Sequence, residues 1–69
     1  MKANVYVAID WMKNNPNQKL FDHLDNWYKY NPDSFVFEHK EKDGLVFGVN
    51  IYKEDEFEKE FLYTKFEIL

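Results

Sequence analysis

The sequence predicts a single α+β domain over residues 1–69, one helix laid across a small antiparallel sheet in the order strand-helix-strand-strand-strand. Three observations carry this expectation. Apolar residues recur at helical spacing between positions 20 and 28, two alternating runs flank Lys42-Asp43-Gly44, and the C-terminal stretch alternates with aromatic and branched residues.

Each element follows in order. Val5, Val7 and Ile9 alternate with Asn4, Tyr6 and Ala8, which reads as a first strand, although the same stretch continued through Asp10, Trp11 and Met12 also reads as a short helix. Asn14-Asn15-Pro16-Asn17 ends either one, because the residue before proline is pushed out of helical geometry. Leu20, Phe21, Leu24, Trp27 and Tyr28 then form one apolar stripe of a helix, with Asn15 or Asn17 as cap and Asn31-Pro32 as stop. Residues 34–40 and 45–52 form a hairpin. A three-residue loop with Gly44 left-handed would pair Phe35 with Ile51, Phe37 with Val49 and His39 with Phe47 on one face, whereas a two-residue Asp-Gly turn would separate these apolar groups. In the tail, Leu62, Thr64, Phe66 and Ile68 alternate with Phe61, Tyr63, Lys65 and Glu67, a final strand with two partly apolar faces. The face bearing Tyr52, Phe61 and Tyr63 is therefore expected to support self-association, as a homodimer.

Composition narrows the function classes. A chain of 69 residues hides only about 60% of its unfolded surface. With no cysteine, neither a disulfide nor a thiolate zinc site can staple it, and fourteen aromatics must supply the core. The N-terminus lacks the apolar run of a signal peptide, and no segment approaches the length of a membrane span, so the expected compartment is the cytoplasm with no membrane contact. All nine basic residues are lysines. Without the arginine fork that reads guanine and clamps phosphate, direct nucleic-acid recognition is not expected.

Enzymatic chemistry lacks its inventory. One serine, Ser34, one threonine, Thr64, and two histidines do not make a nucleophile with its base, and Ser34 after Pro32-Asp33 reads as a turn residue. His39-Lys40-Glu41 matches the H-x-E of zinc deaminases in letters alone, since the paired cysteines are missing. Asp22 and Asp25 beside His23 would form a loose cation site at most, and a solvated helix face is the plainer reading. No catalytic residue, metal site or cofactor is expected, and Gly44 and Gly48 cannot build a phosphate cradle.

Charge is the remaining signal. Residues 1–32 are near +1 and residues 33–69 near −5, with five carboxylates inside Lys53–Phe61 alone. In an extended strand Glu54, Glu56, Glu58 and Glu60 would share one face at intervals of about 6.7 Å, a row of negative charge comparable to a phosphate backbone seen from the side. A helical turn would instead set Glu54, Asp55 and Glu56 against the positive end of its dipole. The expected partner-binding surface comprises Glu38, Glu41, Asp43, Glu54, Asp55, Glu56, Glu58 and Glu60, and the expected partner is a basic protein.

A short, acidic, aromatic-rich chain without cysteine or arginine resembles, in size and composition over its whole length, the small host-takeover inhibitors of bacteriophages. These include proteins that imitate DNA, of the type of the HU-binding inhibitor of a Bacillus phage. The resemblance implies a small, often dimeric inhibitor acting in the bacterial host cytoplasm, where it covers the DNA-binding surface of a nucleoid protein or another DNA-binding protein. The alternative is a small regulatory or assembly module that interacts through an exposed aromatic sheet face.

Overall fold

A computed structural model describes residues 2–42 and 48–68 as an α+β fold with more elements than the sequence suggests. In chain order they are β1 (Lys2–Ala3), α1 (Val5–Asn14), β2 (Leu20–Asp22), β3 (Trp27–Asn31), β4 (Val36–Lys40), β5 (Asn50–Tyr52), α2 (Glu54–Glu60) and β6 (Phe66–Glu67). The six strands form one sheet in the order β1-β6-β2-β3-β4-β5, with every neighbouring pair antiparallel.

The first expected strand is helix α1. The Asn4 side chain accepts from the Val7 backbone N–H at 3.0 Å and caps the helix, and Val5, Ala8, Ile9 and Met12 form its buried stripe at i, i+3, i+4 and i+7. Val7, which the alternating pattern places inside, is exposed. One cap and a burying partner layer outweigh the modest strand preference of three β-branched residues.

The expected helix over 20–28 is instead a hairpin of β2 and β3. Asp22 and Asn26 flank a three-residue loop that Asp25 closes in the left-handed region at φ 62°. The Asp22 carboxylate accepts from the backbone N–H groups of Leu24 and Asn26 at 2.8 and 3.1 Å. Such local side-chain bonds offer the backbone an alternative to the helix ladder, and an aromatic run then pairs readily as β3.

β4 and β5 do form an antiparallel pair, but in a different register. Phe37 pairs with Tyr52, Glu38 with Ile51 and His39 with Asn50. Relative to the expected pairing this is a slip of three residues, and an odd slip exchanges the faces. Tyr52 thus turns inward against Phe57 and Phe61, while Ile51 is 63% exposed. The expected Asp43-Gly44 turn and the His39–Phe47 pair lie outside the described residues. Phe35 is not in a strand; it ends a turn at φ 56° and is 74% exposed.

The acidic segment is helix α2, not an extended strand. The Lys53 backbone N–H donates to Glu56 at 2.9 Å, and Glu54, Asp55 and Glu56 occupy the first turn with Lys59 in the last. The expected final strand shrinks to Phe66–Glu67, because residues 61–63 form the turn that leaves α2.

Both helices cover the same side of the sheet. Phe57 and Phe61 drop from α2, and Val5, Ala8, Ile9 and Met12 from α1, onto Leu20, Tyr28, Phe37 and Phe66. Among the described residues, no helix covers the opposite face. Phe57→Ala should cost about 3–5 kcal/mol, a large part of the roughly 5–15 kcal/mol such a domain possesses, and abolish a cooperative thermal transition followed by circular dichroism. Tyr63→Ser should leave that transition within about 0.5 kcal/mol. Phe35→Asn, which tolerates a left-handed backbone better, should raise stability by about 1 kcal/mol.

Candidate functional site

Helix α2 is anchored by Phe57, which is fully buried, and carries five carboxylates around it. At helical spacing Glu54 and Glu58 flank one side of the buried stripe, Glu56 and Glu60 the other, and Asp55 points between them to solvent. The single row expected from a strand therefore does not exist. What forms is an acidic patch with several directions, on an ordered element.

The individual groups have different neighbours. Glu54 is ion-paired with Lys13 of α1, and this contact holds the Lys13 ammonium above its usual value. The Glu58 carboxylate takes a hydrogen bond from the Tyr6 hydroxyl and pushes that hydroxyl up. Glu60 and the exposed Glu41, past the end of β4, both act on Tyr52, whose hydroxyl is raised first by burial and then by these two charges. Glu41 and Glu60 thus share the neighbourhood of Tyr52. The fold does not bring Glu38 there. Glu38 lies on the opposite face of the sheet, paired with Lys29 at 3.7 Å and accepting from Asn31 at 3.2 Å. Asp43 lies outside the described residues.

The expected self-association face is divided. Phe61 is only 8% exposed and packs in the core against Tyr28, His39, Tyr52 and Phe57. Tyr52 is half-buried beside it, and Tyr63 alone projects, at 91% exposure. Once α2 is a helix, Phe57 and Phe61 at i, i+4 share its inner side, which removes Phe61 from the surface.

The open aromatic surface is elsewhere, and sequence reasoning missed it. Register places Lys2, Glu67, Phe21, Trp27 and Lys40 in one row across five strands on the uncovered face, with Lys29, Glu38 and Ile51 in the next. The ammonium groups of Lys19 and Lys29 lie 4.9 and 5.6 Å from the centre of the Trp27 ring. The available signal was the alternation Trp27-Tyr28-Lys29-Tyr30, which a helical reading of the same residues concealed.

Beneath the sheet lies a buried polar centre. Asp22 accepts from the Tyr28 hydroxyl at 2.7 Å, from the Asn26 side chain at 3.0 Å and from two backbone N–H groups. Burial works against its charge, yet these donors outweigh it and hold the carboxyl below its usual range. Tyr28 is pushed up, first by burial and then by the Asp22 carboxylate. Its ring stacks on His39 at 4.5 Å, and His39 Nδ1 lies 3.2 Å from the Trp27 carbonyl oxygen. Among the described residues no buried side-chain nitrogen or oxygen lacks a partner, and no three His, Asp or Glu groups are placed to hold a metal ion. His23, Asp22 and Asp25 do not converge, since Asp22 turns inward and the other two are exposed.

A cleft of about 400 Å³ opens between α1, β2 and β6, lined by Trp11, Lys19, Phe21, Asp22, Asp25 and Glu67 among others. Its one buried carboxylate, Asp22, is engaged by four donors, and Asp25 is paired with Lys42 at 3.4 Å. No helix among the described residues is long and apolar enough to cross a membrane. Comparison with protein families, curated proteins and solved structures gives no match. The functional reading therefore rests on these surfaces.

The Asp22 centre makes stability depend on pH in two directions. Because the folded state holds the Asp22 carboxyl low, its contribution is present above about pH 4 and is lost as pH falls through the lower folded value. Tyr28 is raised, so its contribution is complete below about pH 10 and is lost as pH climbs beyond that. Asp22→Asn should cost about 1–3 kcal/mol at neutral pH, and the gap from wild type in thermal melts should close in acid. Tyr28→Phe should cost a similar amount and flatten the alkaline fall.

Proposed function

We propose that the chain is a non-enzymatic binding protein whose acidic helical side docks on a basic protein surface. The observation that carries this reading is charge segregation. Among the described residues, Lys2, Lys19, Lys29 and Lys40 accompany Glu38, Glu67 and the cleft-lining Asp25 on the uncovered sheet face, whereas helix α2 carries five carboxylates against the single lysine Lys59. Glu54, Asp55, Glu56, Glu58 and Glu60 make α2 the densest acidic element among the described residues, and Glu41 acts with Glu60 on Tyr52.

The partner that fits is lysine- or arginine-rich, and a bacterial DNA-binding protein, as a nucleoid protein is, has the required field. On this reading the chain acts in the cytoplasm of a bacterial host as a phage-encoded inhibitor. It imitates DNA through the sign and density of its charge. A periodic row of phosphates is not reproduced, because the carboxylates surround a helix. Docking of this type accelerates encounter, sets orientation and weakens steeply with salt.

Replacing Glu54, Asp55, Glu58 and Glu60 together with the corresponding amides tests it, because the exchanges retain size and leave the Glu56 cap intact. The fold should survive, since the Lys13–Glu54 pair is exposed and worth about 0–1 kcal/mol. Wild-type protein on a support should retain a basic DNA-binding protein from bacterial lysate at low salt and release it at high salt, while the amide variant should retain none. Equal retention by the two, or retention indifferent to salt, contradicts the reading.

A further inference from the structure

We propose that the uncovered face of the sheet is a stacking platform for single-stranded nucleic acid. Phe21 and Trp27 are directly opposed on β2 and β3, the two central strands of six. Phe21 is 43% exposed and Trp27 partly so, although each is large enough to have been used in a core. Both helices pack on the other side, and no helix or strand among the described residues covers this pair.

The surroundings of the two rings favour a polyanion. Lys19 and Lys29 bracket Trp27, and Lys40 stands beside it on β4, while Lys2 closes the row on β1. With strands about 4.8 Å apart, the row spans roughly 19 Å, a track on which a flexible strand can spread its bases. Among the described carboxylates around this face, Glu38 pairs with Lys29 and Asn31, and Asp25, which lines the cleft beside Phe21, pairs with Lys42 at 3.4 Å. Glu67 stands between Lys2 and Phe21 as an opposing charge.

Flat aromatic rings accept any base by its π-face, and lysines accept phosphate without regard to sequence, so this mode does not need arginine. The missing arginine argues against reading base edges in a groove, and a flat sheet has no element to enter one. A duplex also keeps its bases stacked on each other, which leaves Phe21 and Trp27 without a partner. A strand of unpaired bases meets both requirements of the surface. This inference does not depend on the acidic helix, which faces the other way.

The experiment is a titration of a fluorescently labelled oligothymidine of about a dozen nucleotides with the full chain, by anisotropy, beside a duplex of equal length. Trp27 emission is followed in parallel in a Trp11→Phe background. The expected result is saturable binding of the single strand at low salt with quenching of Trp27, and markedly weaker binding of the duplex. The slope of log affinity against log salt should fall by about 0.7 for each of Lys19→Gln and Lys40→Gln. Trp27→Leu should weaken binding by roughly ten-fold or more, and Glu67→Gln should tighten it. The amide variant of α2 should bind the single strand at least as well as wild type, which separates this proposal from the acidic one. Absence of binding at low salt, equal affinity for the duplex, or no loss in Trp27→Leu and in the two lysine variants would overturn it. So would sedimentation as a dimer that Phe21→Lys dissociates, because a second copy would then be the occupant.

Discussion

Tyr28 is the point on which the two layers meet. Its hydroxyl satisfies Asp22, the residue that turns β2 into β3, and its ring contacts His39 of β4, Phe57 of α2, Phe61 just past the end of α2, and Phe66 of β6. A chain of this size cannot bury many side chains completely, so it concentrates its core in a few edge-to-face and stacked rings. The buried carboxylate is tolerated because four donors surround it. Without that centre the hairpin, the central strands and the seat of α2 lose a common support.

The one-sided core has consequences for both surfaces. The buried residues of two short helices all pack on one face of the sheet, and the opposite face keeps its lysines and the partly exposed Phe21–Trp27 pair. The carboxylates of α2 stay outward because Phe57 and Phe61 take the inward positions. Opposite charges are therefore sorted to opposite sides of a small body. The proposals made for the two faces are independent readings of that separation, one for a cationic protein and one for an anionic strand.

Alternation of Val5, Val7 and Ile9 was compatible with two periods, and the helical one prevails because Asn4 caps it and Val5, Ala8, Ile9 and Met12 find a sheet to cover. The stripe from Leu20 to Tyr28 satisfied helical spacing equally well and still became a hairpin. There the Asp22 side chain captured the backbone of Leu24 and Asn26, a bond that apolar periodicity does not register. The acidic segment was ambiguous for the same reason in reverse, since Phe57 and Phe61 are four apart and fit one side of either a helix or a strand. Its functional residues were visible, but their arrangement was not.

Composition and charge order determined an aromatic-rich core and a negative second half, apolar periodicity gave the α+β class with the expected helix misplaced, and Pro16 and Pro32 marked two of the breaks. Register was beyond the reach of these signals. Pairing Phe37 with Tyr52 rather than with Val49 follows from where α2 begins and where its phenylalanines land, and that shift sends Ile51 outward and Tyr52 inward. The tertiary structure likewise decided that Phe61 is core and that Phe21 and Trp27 are surface, because which face of a strand is buried depends on where the helices lie, a relation between segments distant in sequence.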